Sequence, residues 1–140
     1  MFEKIKCFIL DMDGTIYLGN ELFSFTKEFL KKVDETGRKY YFFTNNSSKS
    51  QQDYIVKLER FGIRIKSQQM MTSTHVISRY LKQHYEGKSV YVVGTPSLIQ
   101  EFQYFDMNLT EEDPDIVVLG FDTTLTYEKL SKACHYIRNG

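Results

Sequence analysis

The 140-residue sequence has no tryptophan, two prolines, two cysteines and no net charge. Two cysteines cannot build a disulfide framework, and Cys7 and Cys134 have no metal-type spacing. Cys7 sits in an apolar run and Cys134 in a helical pattern, so both are expected as buried free thiols in a reducing compartment. Lys plus Arg and Asp plus Glu balance at 18 each. That balance removes the electrostatic case for nucleic acid or an anionic membrane as a partner. No apolar run approaches the roughly 18 residues that a membrane span needs. The opening Met1–Lys6 lacks the long apolar core of a secretory leader, so a cytoplasmic location is expected. Low-complexity segments and short repeats are also missing.

What is present is an ordinary globular composition, 41% apolar and 26% charged, with 15% aromatics drawn from Tyr and Phe. Cys7–Leu10 is a short apolar run of the kind that forms a buried parallel strand, and it stops at Asp11. A helix is predicted over Phe25–Glu35, with Phe25, Phe29, Leu30 and Val33 on one face and Gly37 as its stop. Lys39–Phe43 reads as a strand, read as buried throughout, ending at Thr44-Asn45-Asn46. Ser50 can cap a helix that runs to Phe61 and stops at Gly62. Gln69–Thr72 is a third strand, with Met70 and Met71 in the core, and a helix follows to about His84. This βαβαβα order predicts a parallel sheet with right-handed crossovers and helices on both faces.

A second cycle starts after Gly87. Ser89–Gly94 and Ile116–Gly120 read as strands, and Pro96–Tyr104 reads as a helix opened by proline. Phe105–Asp115 is an acidic loop. Thr126–Arg138 is a helix with Leu130, Ala133, Cys134 and Ile137 inward. A domain boundary is placed at residues 82–88. His75, His84 and His135 share no ligand spacing and are read as structural or surface residues.

The chemistry gathers at two strand ends, where open parallel sheets bind ligands. Asp11 ends the first strand and Thr44 the second, and consecutive strands of this kind commonly lie side by side. Asp11 and Asp13 share a face if extended backbone continues through both. Two close carboxylates repel, so a cation would stabilise them, or one would hold a proton. Gly14 permits a sharp turn. Thr44, Asn45 and nearby backbone N–H groups can hold phosphate oxygens.

Asp11-Met12-Asp13-Gly14-Thr15, after Phe8-Ile9-Leu10, resembles the first motif of the haloacid dehalogenase-like superfamily. Phe42-Phe43-Thr44-Asn45-Asn46-Ser47 resembles its second. Ile16–Asn20, Asp113–Gly120 and Leu125–Leu130 extend the resemblance to the NagD-like and p-nitrophenyl phosphatase subgroup. The resemblance implies an α/β fold: a Rossmann-like parallel core over residues 1–82, and part of an inserted α/β cap over residues 83–140. It implies Asp11 as nucleophile, Asp13 as acid and base, and Gly14, Thr44 and Asn45 around the phosphate. It implies Mg2+ held by the Asp11 carboxylate and the Asp13 backbone carbonyl, with Ile16–Asn20 as a flap. The implied partner is a small phosphorylated metabolite, with homodimers through the cap as a further implication. The implied reaction is hydrolysis of small phosphomonoesters through an aspartyl-phosphate.

The family's third and fourth motifs, a lysine and acidic magnesium ligands, would follow the cap, and neither is found through Gly140. Lys129, Lys132, Asp113, Asp115 and Asp122 belong to the cap pattern and do not fill those roles. The expectation is a truncated or proteolysed chain, or part of a longer protein, that is inactive alone. Two other readings stand beside the enzyme. One is a non-catalytic fragment or interaction module. The other is a phospho-accepting receiver, which the Asp11-Met12-Asp13 spacing disfavours.

Overall fold

A computed structural model describes residues 4–139. The described residues form two compact units, one of residues 4–45 and 51–71, the other of residues 46–50 and 72–139. Among the described residues no helix is long and apolar enough to cross a membrane.

The first unit holds β1 (Cys7–Leu10), β2 (Tyr17–Leu18), β3 (Glu21–Leu22), α1 (Thr26–Glu35), β4 (Lys39–Thr44) and α2 (Gln51–Arg60). A single 3-10 turn, Ser67–Gln69, then leads into β5 (Met70–Thr72), whose last residue groups with the second unit. The main sheet runs β1-β4-β5, with β1 and β4 parallel and Cys7 opposite Lys39. β2 and β3 make a small antiparallel hairpin. These elements follow the sequence patterns closely.

The expectation of helices on both faces of this sheet is corrected. Strand order advances in one direction, and two right-handed crossovers that advance the same way lie on the same face. Leu30 and Val33 of α1 and Tyr54, Ile55 and Leu58 of α2 therefore share one core with Phe8, Leu10, Tyr40, Phe42 and Met70. The other face is open. Along β4, Tyr40, Phe42 and Thr44 are buried while Tyr41 and Phe43 are exposed. Cys7, Ile9 and Met71 are exposed too. The buried Cys7, the continuously buried aromatic strand and the core Met71 expected from the sequence are corrected for this one reason. Phe25 is likewise exposed, stacked on Phe23.

The second unit holds α3 (Ser73–His84), β6 (Val90–Val93), α4 (Pro96–Tyr104), β7 (Ile116–Leu119) and α5 (Tyr127–Asn139). β6 and β7 pair in parallel, Val90 opposite Ile116. Here both faces are covered. Val90 and Val92 pack with Leu81, Leu98 and Phe102, while Tyr91 and Val93 pack with Ala133. By packing, the change of unit falls at Met71–Thr72, because Ile77 and Leu81 of α3 belong to this core. Thr95 caps α4 by accepting from the Leu98 N–H at 3.2 Å, with Pro96 in the first turn. A Cβ at Gly94 or at Gly120 would run into Leu98 and force that side chain to shift.

The inward face of α5 is also corrected. Ala133 is buried and Tyr136 packs beside it, but Leu130, Cys134 and Ile137 are exposed. Apolar spacing at i, i+4 and i+7 marks a stripe without saying whether a partner covers it.

Past β7, Asp122 is a buried carboxylate with a full set of partners. It accepts from the Lys129 ammonium at 2.7 Å and from the Thr124 N–H and hydroxyl at 2.8 and 2.7 Å. Lys129 also donates to the Gly94 carbonyl at 2.9 Å. Burial pushes the Asp122 pKa up, and Lys129 with Thr124 outweigh it, so the net shift is downward. The pair thus ties α5 to the end of β6.

Two stability outcomes are expected from denaturant unfolding. Phe42→Ala, which empties a fully buried site, costs about 3–5 kcal/mol. Lys129→Met, which strips the buried Asp122 of its ammonium donor, costs about 1.5–3 kcal/mol.

Candidate active site at the end of the first strand

The register that pairs β1 with β4 also builds the site. Leu10 lies opposite Phe42, so one further residue brings Asp11 level with Phe43, next to Thr44. Alternation continues past the strand. Met12 is fully buried, whereas Asp11 and Asp13 on either side of it are exposed. The buried methionine anchors the turn and leaves both carboxylates facing solvent.

Backbone hydrogen bonds then fix the loop. The Met12 carbonyl accepts from the N–H groups of Thr15 and Ile16 at 3.1 and 2.9 Å. The Gly14 N–H donates to the Tyr17 carbonyl at 2.8 Å, closing a bridge between Asp13 and Tyr17. Gly14 has φ +80°, the left-handed region that a side chain at this position would disfavour. Thr26 donates its hydroxyl to the Ile16 carbonyl at 2.8 Å and pins the loop to α1. The flap expected over Ile16–Asn20 is the first strand of the β2–β3 hairpin and its turn.

On the neighbouring strand, Thr44 is buried at the tip of β4 and Asn45 is exposed just beyond it. Asp11, Asp13, Gly14, Thr44 and Asn45 therefore all lie at the carboxyl ends of two adjacent parallel strands in one unit. The set has two carboxylates and a hydroxyl. Among the described residues no group of three or more His, Cys, Asp or Glu side chains can hold a metal ion. The oxygen donors of Asp11 and Asp13 still suit Mg2+. That ion commonly takes one or two carboxylates and fills its octahedron with water and substrate phosphate.

Sequence reasoning placed Tyr17 only in the flap. The structure gives it a contact with the acid: its hydroxyl donates to the Asp13 carboxylate at 3.5 Å. The ring is fully buried, packs on Phe61, and carries the Lys57 ammonium 3.7 Å from its centroid. Burial, followed by the negative charges of Asp13, Tyr54 and Asp11, pushes the Tyr17 phenol well above the usual tyrosine range. A two-residue strand carries almost no signal in sequence, so this contact could be found only through the bridge to Asp13.

A family model described as haloacid dehalogenase-like hydrolase matches residues 8–108. The chain belongs to this family. It is similar to a 5'-nucleotidase of Bacillus subtilis, 34% identical over 138 residues, covering 99% of this chain and 54% of that protein. An acid sugar phosphatase of Staphylococcus aureus is 31% identical over 139 residues, with 99% and 54% covered. The crystal structure of a 4-nitrophenylphosphatase from Thermotoga maritima superposes with a TM-score of 0.92 at 42% identity, covering 98% of this chain and 52% of that one. The chain spans about half the length of the relatives it matches. The expected α/β class and the NagD-like, p-nitrophenyl phosphatase-type resemblance both hold.

The Tyr17 environment sets a pH dependence. The buried form is the neutral phenol, so its folded-state pKa lies above the unfolded value of about 10. The linked stability is present below about pH 10 and is lost as pH climbs through the folded-state value. A near-ultraviolet absorbance titration is expected to show late-ionising tyrosines, since burial raises the Tyr40 and Tyr91 phenols as well, and Tyr17→Phe is expected to remove the latest part of that rise.

Proposed function

We propose that the whole protein is a magnesium-dependent phosphatase of small phosphomonoesters that works through an aspartyl-phosphate. The observation that carries this reading is the pair of exposed carboxylates, Asp11 and Asp13, held on either side of buried Met12 at the end of β1. The phosphoesters named for the relatives, those of a nucleotidase and of a sugar phosphatase, belong to the same chemical class.

In this mechanism Asp11 attacks phosphorus through a carboxylate oxygen as the ester oxygen departs. Asp13 protonates that oxygen, then takes a proton from the water that cleaves the acyl phosphate. The Tyr17 hydroxyl orients Asp13 throughout. Gly14, Thr44 and Asn45 hold the phosphoryl oxygens through N–H, hydroxyl and amide donors. Mg2+, held by the Asp11 carboxylate and the Asp13 backbone carbonyl, supplies neutralising positive charge when bound.

The functional division follows the resemblance, with a core over residues 1–82 and part of a cap over 83–140. The groups that complete the site lie in the stretch of the relatives that this chain does not span. The residues present therefore bind and position phosphate but turn it over poorly alone. The location is cytoplasmic, the partner is a small phosphorylated metabolite, and the cap can join two copies.

The test uses a hybrid in which this chain replaces the stretch it matches in the Thermotoga maritima 4-nitrophenylphosphatase. The hybrid is expected to hydrolyse 4-nitrophenyl phosphate with Mg2+, to lose activity to a chelator and to regain it with the metal. Asp11→Asn is expected to lower kcat at least about a thousandfold with an unchanged circular dichroism spectrum. Near-normal turnover in that variant would remove Asp11 from the nucleophile's role. Thr44→Val is expected to cost roughly a hundredfold in kcat.

A further inference from the structure

The Asp13 carboxylate has one side-chain support. Asp13 is exposed, and among the described residues the Tyr17 hydroxyl, 3.5 Å away, is the only side chain that hydrogen-bonds to it. The backbone repeats the link, since the Gly14 N–H donates to the Tyr17 carbonyl at 2.8 Å. Where the Asp13 carboxyl points is therefore set by where the Tyr17 ring sits.

That ring is gripped from α2. Lys57 and Phe61 lie one helical turn apart, so their side chains share a face. The Phe61 N–H still donates to the Lys57 carbonyl at 3.3 Å, which keeps the turn between them helical. Phe61 meets the Tyr17 ring at 5.5 Å between centroids, and the Lys57 ammonium lies 3.7 Å from the same ring's centroid. The helix itself is anchored, because Tyr54, Ile55 and Leu58 are buried in the core that also holds Tyr17.

Shape alone does not call for a lysine here. An apolar side chain would pack on the ring without drawing an ammonium partly out of water, and Lys57 is half-buried. A cation on the ring face adds two things. It holds the ring by attraction to the π cloud, and it draws electron density from the phenol, which strengthens the hydroxyl as a donor to a carboxylate. Ammonium, ring, hydroxyl and carboxylate thus form one connected chain from α2 to the loop after β1.

We infer that Lys57 is a positioning residue for phosphoryl transfer: with Phe61 it fixes the Tyr17 ring, and through the Tyr17 hydroxyl it sets where the Asp13 carboxyl meets the departing ester oxygen. The inference rests on the phosphatase reading of Asp11 and Asp13. In the step concerned, the bond from the Asp11 oxygen to phosphorus forms as the ester bond breaks. The Asp13 proton passes to the departing oxygen, which leaves as the neutral alcohol or phenol.

The leaving group supplies the test. The nitro group makes 4-nitrophenolate a much weaker base than phenolate, so phenyl phosphate depends on the Asp13 proton more than 4-nitrophenyl phosphate does. The ratio of the two kcat/KM values isolates that dependence, whereas damage to folding or phosphate binding lowers both alike. In the hybrid described above, Lys57→Met is expected to lower kcat/KM for phenyl phosphate roughly fivefold more than for 4-nitrophenyl phosphate. Lys57→Arg, which keeps a cation for the ring, is expected to restore most of the ratio. Tyr17→Phe is expected to shift the ratio at least as far as Lys57→Met. Adding Lys57→Met to it is expected to shift the ratio no further, because the hydroxyl through which the lysine acts is gone. An unchanged ratio in Lys57→Met, or additive shifts in the double variant, overturns the inference and leaves the phosphatase reading in place. A Lys57→Arg ratio no better than that of Lys57→Met does the same. Where circular dichroism shows that Lys57→Met does not fold, Lys57→Gln takes its place under the same criteria. Should the hybrid not fold, this chain is co-expressed with the stretch of the Thermotoga maritima enzyme that it does not span. Hydrolysis of neither ester with Mg2+ in both arrangements removes the phosphatase reading, and the inference falls with it.

Discussion

The pairing of β1 with β4 is the constraint on which the site depends. Four residue pairs, from Cys7–Lys39 to Leu10–Phe42, set where each strand ends. Slipping either strand by one residue would turn Phe8 and Leu10 out of the core and Asp11 toward it. The alternation therefore couples two requirements. A sequence that buries Phe8, Leu10 and Met12 presents Asp11 and Asp13 to solvent. Hydrophobic burial on one face is what presents two carboxylate side chains on the other.

The two units resolve the same problem differently. In the second unit β6 has helices on both sides, and every residue of the strand is buried. In the first unit both helices crowd onto one side because the strand order advances without reversal. A chain with similar strand–helix alternation throughout thus gives one two-sided layer and one single-sided layer. The difference lies in which helices pack on which face, since α5 covers the face of β6 opposite α3 and α4, and not in the character of any strand.

That distinction marks how much was legible in the sequence. Local patterns placed every main strand and helix to within a residue or two, because each carries its own periodicity and caps. Pro96 marks the start of α4, Gly37 and Gly62 follow α1 and α2. The strand-end positions of Asp11 and Thr44 were legible for the same reason. Burial was not. Cys7, Tyr41, Phe43, Met71 and Cys134 have the composition of core residues and are exposed. Side-chain polarity says what a residue tolerates, and topology decides what covers it. The contact of Tyr17 with Asp13 was invisible for another reason, since it arises from a turn whose bonds are all to backbone.

The short segment 46–50, which belongs by contact to the second unit although it follows β4, has a practical meaning. The Ser47 hydroxyl accepts from the Phe121 N–H at 2.7 Å, and the Ser48 carbonyl accepts from the Thr95 hydroxyl at 2.8 Å. The backbone thus leaves the first unit, returns to it and leaves again. No single scission separates the halves intact, and a piece cut to begin at Thr72 would carry a strand-end amide and a capping hydroxyl stripped of their acceptors.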